Sequence, residues 1–417
     1  MPDTVTGRTS PPLSISGGSP GHKLELELLL QTSRMVVSSS GEARIHNLLR
    51  QEIDWGFLIQ SAHYHRVVPL LYHTLSRVAP GFLPGHAIAT LRKRFQANTQ
   101  HNLFLCAELI QVLDLFDRHQ VRAIPYKGPI LAAALYGDVS LRQFGDLDII
   151  VPAGKVEEAR GLLISRGYQP EKEITGRELR REIQQGKDLI LRRDGGITVE
   201  LHWGITAHPD PIDFSPDLLW KNLKTLSIAG RTVTTHAPED LLLILCIHGG
   251  KHRWEYLVWL CDIAELIRSY PTLNWTQVIE DASSVGGKRI LLLGVLLARD
   301  LLDAELPENL NRTIEADRVL IQLADQVKVW LTRETHVAAE PGEIPRYYVK
   351  LRENRADRLR VALTQAKHYL TLTSRDKEVL PGSAPLQYLV RPFRLVWEYG
   401  LRPFQRFLKG IAESWRG

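Results

Sequence analysis

The pattern of apolar and polar positions predicts helices through the first quarter of the chain. From about Lys23 to Phe116, apolar residues recur three and four positions apart, as in Leu58, Ile59 and Ala62. This spacing places them on one face of an α-helix. No strand pattern interrupts the stretch, so we predict an N-terminal helical region over residues 22–116.

Strand patterns appear after this region, and they alternate with short helices. The turn residues Asp194-Gly195-Gly196 separate two β-compatible runs, which is a hairpin signal. The predicted strands are Val121–Tyr126, Leu147–Val151, Tyr168–Pro170, Asp188–Arg192 and Ile197–Trp203, and the predicted helices are Pro129–Leu135, Lys155–Ser165 and Arg177–Gln185. We therefore predict an α/β core with a mixed sheet over residues 117–235.

Helical spacing returns for the rest of the chain. The predicted helices are Glu239–His248, Tyr256–Ile267, Trp275–Val285, Ile290–Leu302 and Ile314–Trp330. We assign a helical domain to residues 236–340 and a mainly helical C-terminal region, broken by prolines, to residues 341–417. The fold class is therefore α+β, with a small mixed-sheet core embedded between N-terminal and C-terminal helical regions.

The composition is that of a globular protein without a membrane span. Of its 417 residues, 44% are hydrophobic and 24% are charged, which excludes a mostly disordered chain. The longest apolar runs, Leu241–Ile247 and Ile290–Ala298, are far shorter than the ~20 residues that cross a bilayer. The three cysteines form no CxxC pair, and residues 1–21 contain no apolar run typical of a secretory signal. We expect a disordered leader over residues 1–21 and a cytoplasmic protein.

The positive charge is concentrated at the C-terminus. The net charge is +5, and residues 341–417 contain 15 Lys and Arg against 7 Asp and Glu, so the preceding residues are net negative. A basic region is compatible with nucleic-acid or nucleotide binding, but a solvated helical face has the same composition. Charge alone does not decide between these interpretations.

The most informative chemistry is a pair of acids on a predicted strand. Asp146 and Asp148 lie two positions apart, so their side chains leave the same face of the strand, while Leu147 and Ile149 point to the other face. Two carboxylates this close repel each other unless a cation lies between them, and hard oxygen ligands suit Mg²⁺. An isolated DxD motif also occurs by chance in surface turns.

A third carboxylate comes from the second strand of the predicted hairpin. Glu200 and His202 share one face of that strand. If it lies beside the strand of Asp146 and Asp148, Glu200 completes a cluster of three carboxylates. Such a cluster can hold two metal ions about 3.5–4 Å apart. His202 then orients Glu200 or contacts phosphate, or it is a structural histidine.

Two cationic residues near the acids are candidates for phosphate binding. Lys127-Gly128 precedes a predicted helix, and the start of a helix attracts phosphate through its free N–H groups and dipole. The other interpretation is a simple strand-to-helix turn. Arg142 either clamps a phosphate or balances Asp146.

Two further histidines are pocket candidates rather than zinc ligands. His248 and His252 lie four positions apart on a helical face, but no Glu follows His248, so an HExxH zinc site is excluded. The aromatic residues around them, including Trp254 and Trp259, are at helical spacing in apolar company, which favours core packing over base stacking.

These residues, taken together, resemble a known family. The core pattern is Lys127-Gly128, Tyr136, Arg142, Asp146-Leu147-Asp148-Ile149, Gly167-Tyr168 and Glu200-Leu201-His202-Trp203, with flanking segments around Asp54-Trp55, Ala62–Leu71, His248–Ile263 and Arg391–Leu395. This pattern resembles the uncharacterised nucleotidyltransferase family, a branch of the polymerase-β-like nucleotidyltransferase superfamily. The resemblance implies a minimal αβαβαβ core.

The resemblance also implies roles for individual residues. It implies that Asp146, Asp148 and Glu200 are the metal carboxylates, and that the segment with His248 and His252 helps to close the nucleotide or acceptor pocket. One feature departs from the superfamily, which usually has Gly-Ser before the first core helix. Here Lys127-Gly128-Pro129 replaces that turn. We therefore expect Lys127 and Arg142 to substitute for the usual serine contact to the triphosphate.

The sequence therefore predicts a nucleotidyltransferase that depends on Mg²⁺ (or Mn²⁺). It is expected to bind an NTP, with ATP favoured, and to transfer NMP to a hydroxyl-type acceptor with release of pyrophosphate. The alternative is a catalytically silent nucleotide- or RNA-binding protein that keeps the fold, and a DxD glycosyltransferase is a weaker third hypothesis. The acceptor is open between a small molecule, a peptide, a protein and RNA, and the oligomeric state is open too.

Overall fold

The structure is a computed structural model that describes residues 22–174, 176–186, 188–206, 212, 214, 216–332 and 343–370. The described residues form two compact units, one before residue 337 and one after it. The predicted leader, residues 1–21, and residues 371–417 of the predicted basic region lie outside the described residues. The subdivision of residues 22–340 into three regions stays a prediction.

The first unit begins with five helices, as the apolar spacing predicts. They are α1 (Lys23–Thr32), α2 (Ser39–Leu49), α3 (Trp55–Tyr64), α4 (Val68–Val78) and α5 (Gly85–Arg118). Local chemistry sets their ends. Helix α3, for example, begins after Asp54, whose carboxylate accepts a hydrogen bond of 2.9 Å from the backbone N–H of Phe57.

A five-stranded sheet follows the helices. Its strands are β1 (Ile124–Pro125), β2 (Asp146–Ile150), β3 (Gln169–Pro170), β4 (Asp188–Arg193) and β5 (Ile197–His202), and the helices between them are α6 (Pro129–Tyr136), α7 (Val156–Ser165) and α8 (Gly176–Gln185). The strand order is β1-β2-β5-β4-β3. Strands β2 and β5 are parallel and the other neighbours are antiparallel, which confirms the predicted mixed sheet.

One face of the sheet is covered by a hydrophobic core. Leu147 and Ile149 of β2 and Val199 and Leu201 of β5 are fully buried there, in one cluster with apolar residues of α5 and α7. Because strand residues alternate between faces, the neighbouring polar residues of β2 and β5 point to the opposite face. The core therefore determines which side of the sheet bears the acids.

The unit continues with a second, two-stranded sheet and further helices. The sheet pairs β6 (Leu223–Ile228) with β7 (Arg231–His236), and the helices are α9 (Pro216–Lys221), α10 (Pro238–Lys251), α11 (Leu257–Ser269), α12 (Trp275–Ser284), α13 (Lys288–Leu302), α14 (Glu308–Ala316) and α15 (Arg318–Thr332). The pattern did not predict β6 and β7. It also merged α14 and α15, which Asp317 separates by accepting hydrogen bonds from the N–H groups of Val319 and Leu320.

The second unit is helical in its described part, with α16 (Glu343–Lys350) and α17 (Arg355–Leu370). In the described parts of both units, every helix is too short or too polar to cross a lipid bilayer.

Candidate active site

The pairing of β2 with β5 brings the predicted acidic residues of the two strands side by side in the sheet. In the parallel register, Asp148 lies opposite Glu200, and Asp146 lies opposite Thr198. These residues therefore share the sheet face that is not covered by the core. Ligand atoms of Asp148, Glu200 and His202 lie within 4.8 Å of one another. Strands β2 and β5 are neighbours, as the prediction about Glu200 assumed, but Asp146 is not in the group of described residues whose ligand atoms converge, so the cluster of three carboxylates stays a prediction.

Asp148 is the most connected acid of the group. Its Oδ1 accepts a hydrogen bond of 2.9 Å from Nζ of Lys127 and lies 3.2 Å from Nε2 of His202. The same Nε2 of His202 is 3.4 Å from Oε2 of Glu200. His202 thus bridges two carboxylates, and Lys127 is the counter-ion of the buried one.

The pKa shifts in this group follow from burial and from these contacts. Burial raises the pKa of the Asp148 carboxyl, but Lys127 and His202 outweigh it and hold that pKa well below its usual range. Burial lowers the pKa of the Lys127 ammonium, and Asp148 reverses the effect, so the pKa is raised overall. Burial likewise lowers the pKa of His202, and its hydrogen bonds to Asp148 and Glu200 raise it above its ordinary value. The contacts among these side chains therefore favour the charged form of each.

Asp146 has a different environment from its neighbour on the strand. Burial and the negative charges of Asp148 and Glu200 raise the pKa of Asp146 to about 6. Asp146, Asp148 and Glu200 carry more negative charge on this face than Lys127 and a protonated His202 balance. A divalent cation would relieve that excess, and carboxylate oxygens are the ligands that Mg²⁺ prefers. Asp148, Glu200 and His202, whose ligand atoms converge, fit a divalent cation by ligand type, whereas the role of Asp146 as a metal ligand stays a prediction.

Gly128 lets the chain pass close to the acidic strand. Its φ is +51°, a conformation that favours glycine, and a Cβ at this position would lie 3.0 Å from the backbone oxygen of Asp146. The residue stands directly before α6, where the positive end of the helix dipole favours an anion. Phosphate binding by Lys127 and Gly128 stays a prediction.

Arg142 forms a buried ion pair with a residue that is far away in the sequence. Its Nε and one Nη donate to the two carboxylate oxygens of Asp262 in α11, each at 2.8 Å, and the hydroxyl of Tyr136 donates to Oδ1 at 2.9 Å. Burial lowers the pKa of the guanidinium, and Asp262 more than reverses this effect. Arg142 therefore ties the loop before β2 to α11, and its role as a phosphate clamp stays a prediction.

The predicted site residues line one cavity, which has a volume of about 390 Å³. Lys127, Gly128, Arg142, Asp146, Asp148, Glu200, His202, His248 and His252 all line it. Three rings form another part of the lining, which we call the ring wall: the centroid of His248 is 4.7 Å from that of His252 and 5.0 Å from that of Trp259. Burial lowers the pKa of His248 well below its ordinary value, so the ring is neutral. Within the described residues, the converging ligand atoms come from Asp148, Glu200 and His202, and not from His248 or His252.

Sequence reasoning missed several residues of this cavity. Trp259 lines it and contacts Tyr256 at 5.0 Å between ring centroids, although helical spacing favoured core packing. Asp188 lines it too, with Oδ2 3.9 Å from Nδ1 of His202. The alternation along β4 and its hairpin pairing with β5 were sufficient to find Asp188. No local signal indicated Asp262 as the partner of Arg142.

One family model matches more than half of the chain. The model, described as an uncharacterised nucleotidyltransferase, covers residues 51–303, which include all of the site residues described in this section. No curated protein matches the chain.

Three solved structures are similar at low identity. The antibiotic-resistance factor ANT(2'')-Ia is 13% identical with a TM-score of 0.32, over 44% of this chain and 91% of that one. The lincosamide antibiotic adenylyltransferase LnuA, lincomycin-bound, is 19% identical with a TM-score of 0.26, over 38% and 94%. An antigenic nucleotidyltransferase-like protein from Paracoccidioides brasiliensis is 17% identical with a TM-score of 0.29, over 50% and 94%.

Proposed function

Because the chain belongs to the uncharacterised nucleotidyltransferase family, we propose that it transfers a nucleoside monophosphate, AMP in the first instance, from an NTP to a hydroxyl-type acceptor. The observation that carries this proposal is the convergence of acids from two neighbouring parallel strands, with Asp148 opposite Glu200 and Asp146 on the same face. Three buried free cysteines support a reducing compartment such as the cytoplasm.

Asp146, Asp148 and Glu200 would hold Mg²⁺ or Mn²⁺. When bound, the cation supplies positive charge that offsets the charge developing on the phosphates and the leaving pyrophosphate. The protein contributes position and electrostatics, which are the main sources of catalysis in phosphoryl-type transfer.

The chemical step is a single displacement at the α-phosphorus. The acceptor hydroxyl oxygen forms a bond to the α-phosphorus, the bond from that phosphorus to the bridging oxygen breaks, and pyrophosphate leaves with the electron pair. The hydroxyl proton passes to Glu200 or to water. Lys127, between Asp148 and the start of α6, neutralises charge on the phosphates. The nucleobase stacks on the ring wall of His248, His252 and Trp259.

A labelling experiment tests this proposal. The protein is incubated with each α-labelled NTP, Mg²⁺ or Mn²⁺ and cell extract, and the labelled product is identified. We expect Asp146→Asn and Glu200→Gln to abolish labelling. Asp194→Asn, an exposed carboxylate in the turn of the same hairpin, is the matched control and should label like the wild type. Full labelling by both active-site variants would disprove the assignment.

Asp148→Asn is less suitable as the first test. The substitution leaves the ammonium of Lys127, whose side chain is only 12% exposed, without its counter-ion. A loss of labelling would then mix loss of function with loss of stability, since removing one partner of a buried pair is strongly destabilising.

One observation favours a second candidate function. The ammonium of Lys127 neutralises the charge of the Asp148 carboxylate without any metal. This arrangement fits a protein that binds nucleotide or RNA but does not catalyse transfer. The two candidates differ in labelling, because a catalytically silent protein binds NTP and yields no labelled product with any extract.

A further inference from the structure

A second, larger cavity opens beside the first and shares its acids. It has a volume of about 760 Å³ and is formed by parts of α3, α5, β4 and β5 together with the loop before β2. Asp146 and Glu200 line both cavities. The two cavities therefore meet at the carboxylates that the proposed reaction uses, and we call the larger one the basic groove.

The other walls of the basic groove carry cationic side chains. Arg94 and His101 come from α5, Arg192 comes from β4, and His63 and Arg66 come from the end of α3 and the residues after it. Arg192 is paired with Glu171 at 3.0 Å. Within the described residues, Arg66 and Arg94 form no ion pair with a carboxylate. Two guanidinium groups are thus available to an anionic ligand.

Arg66 is held in an unusual backbone conformation at this edge. Its φ is +60°, which is uncommon for a residue with a side chain. Its N–H donates to the backbone oxygen of His63 at 3.1 Å, and its guanidinium lies 4.3 Å above the ring of Tyr256. The local structure fixes this arginine where the two cavities adjoin, because Arg66 lines both of them.

The charge distribution indicates what kind of molecule the basic groove binds. Asp146 and Glu200, which both cavities share, repel an anion, while Arg94, which lines only the basic groove, and Arg66, which lines both cavities, attract one. Guanidinium groups match the oxygens of phosphate in bidentate contacts. A molecule with a phosphate group at one end and a hydroxyl group at the other satisfies both requirements. Lys127, Gly128 and the ring wall belong to the first cavity, which leaves the basic groove for the second substrate.

We propose that the basic groove is the acceptor site and that the acceptor is a phosphate-bearing hydroxyl compound, whose phosphate binds Arg94 and Arg66. This inference rests on the proposed function, since only a transferase has an acceptor. The hydroxyl group then lies at Asp146 and Glu200, beside the nucleotide in the first cavity.

Calorimetry with a simple probe tests the inference. The wild-type protein is saturated with Mg²⁺ and α,β-methylene-ATP, which does not transfer AMP, and is titrated with glycerol 3-phosphate or with glycerol. We expect glycerol 3-phosphate to bind and glycerol to give no signal. Arg94→Gln should weaken binding of glycerol 3-phosphate about tenfold or more, the loss typical of a charge-assisted hydrogen bond.

The matched control is Lys93→Gln, which removes an exposed cation from the same helix outside both cavities. It should leave the affinity for the probe within about twofold. Absence of binding by glycerol 3-phosphate, or equal affinity in wild type and Arg94→Gln, would overturn the inference. So would an equal loss of affinity for the ATP analogue in Arg94→Gln, because the groove would then hold the triphosphate.

The same titrations separate this inference from the proposed function. If the ATP analogue fails to bind in the presence of Mg²⁺, the proposed function fails and the acceptor site fails with it. If the analogue binds and the probe is insensitive to Arg94, only the assignment of the groove is wrong.

Discussion

The buried ion pair between Arg142 and Asp262 makes a direct prediction about stability. The side chain of Arg142 is 6% exposed and that of Asp262 is 0% exposed, and both N–O contacts are 2.8 Å long. Asp262→Ala leaves the guanidinium buried without a carboxylate, which costs about 3–5 kcal/mol. Since domains are typically stable by ~5–15 kcal/mol, the variant should lose a large share of its free energy of unfolding.

Urea unfolding followed by tryptophan fluorescence measures the loss. The double variant Arg142→Met with Asp262→Leu should recover most of it, because an apolar pair of similar volume often replaces a buried ion pair at little cost. Asp300→Ala is the control. Its carboxylate contacts Nζ of Lys328 at 2.8 Å, but both side chains are more than a fifth exposed, so the cost should stay below about 1 kcal/mol.

The opposite result would refute the structural role of Arg142. If Asp262→Ala unfolds within about 1 kcal/mol of the wild type, the pair contributes no more than a surface contact. If Arg142→Met instead keeps its stability and loses affinity for ATP, the guanidinium acts on phosphate rather than on the loop before β2.

Three further predictions concern conformation, packing and pH. Gly128→Ala should cost about 1–3 kcal/mol in urea unfolding, because alanine is strained at positive φ and its Cβ meets the backbone oxygen of Asp146 at 3.0 Å; an unchanged midpoint would contradict this. Gly249→Ala places a Cβ against the buried ring of Trp254, so the thermal midpoint should fall. An unaltered near-ultraviolet circular dichroism spectrum with an unaltered midpoint would show that Trp254 does not pack against Gly249. Burial lowers the pKa of His236 from 6.5 to about 4. As the pH falls, His236 therefore becomes protonated in the unfolded chain before it does so in the folded protein. The free energy of unfolding thus decreases as the pH drops from 6.5 towards 4, by about 2 kcal/mol at pH 5. His236→Phe should lose correspondingly less stability between pH 7 and pH 5, and an identical loss would exclude His236 as a source.

Much of the fold and the acid cluster could be predicted because local periodicity determines them. Alternation along β2 and β5 assigned Asp146, Asp148 and Glu200 to the faces that they occupy. The pairing of β5 with β2 had to be assumed, because strand order depends on contacts far apart in sequence.

The partners of the cationic residues could not be predicted for the same reason. Arg142 contacts Asp262, which is 120 residues away, through a packing of α11 that no local pattern reports. Lys127 contacts Asp148 only because β1 pairs with β2. The hairpin of β6 and β7 was missed because its strands are rich in polar residues such as Lys224, Thr232 and Thr234, which weaken the apolar alternation of a strand.

The central claim is that Asp146, Asp148 and Glu200 hold a divalent cation that nucleotide binding requires. Calorimetric titration of ATP into the wild type and into Glu200→Gln, with Mg²⁺ and with EDTA, tests it most directly. The account predicts that Mg²⁺ tightens binding to the wild type by about tenfold or more and that Glu200→Gln abolishes most of this gain. Equal affinity for ATP with and without Mg²⁺ in the wild type would contradict the claim.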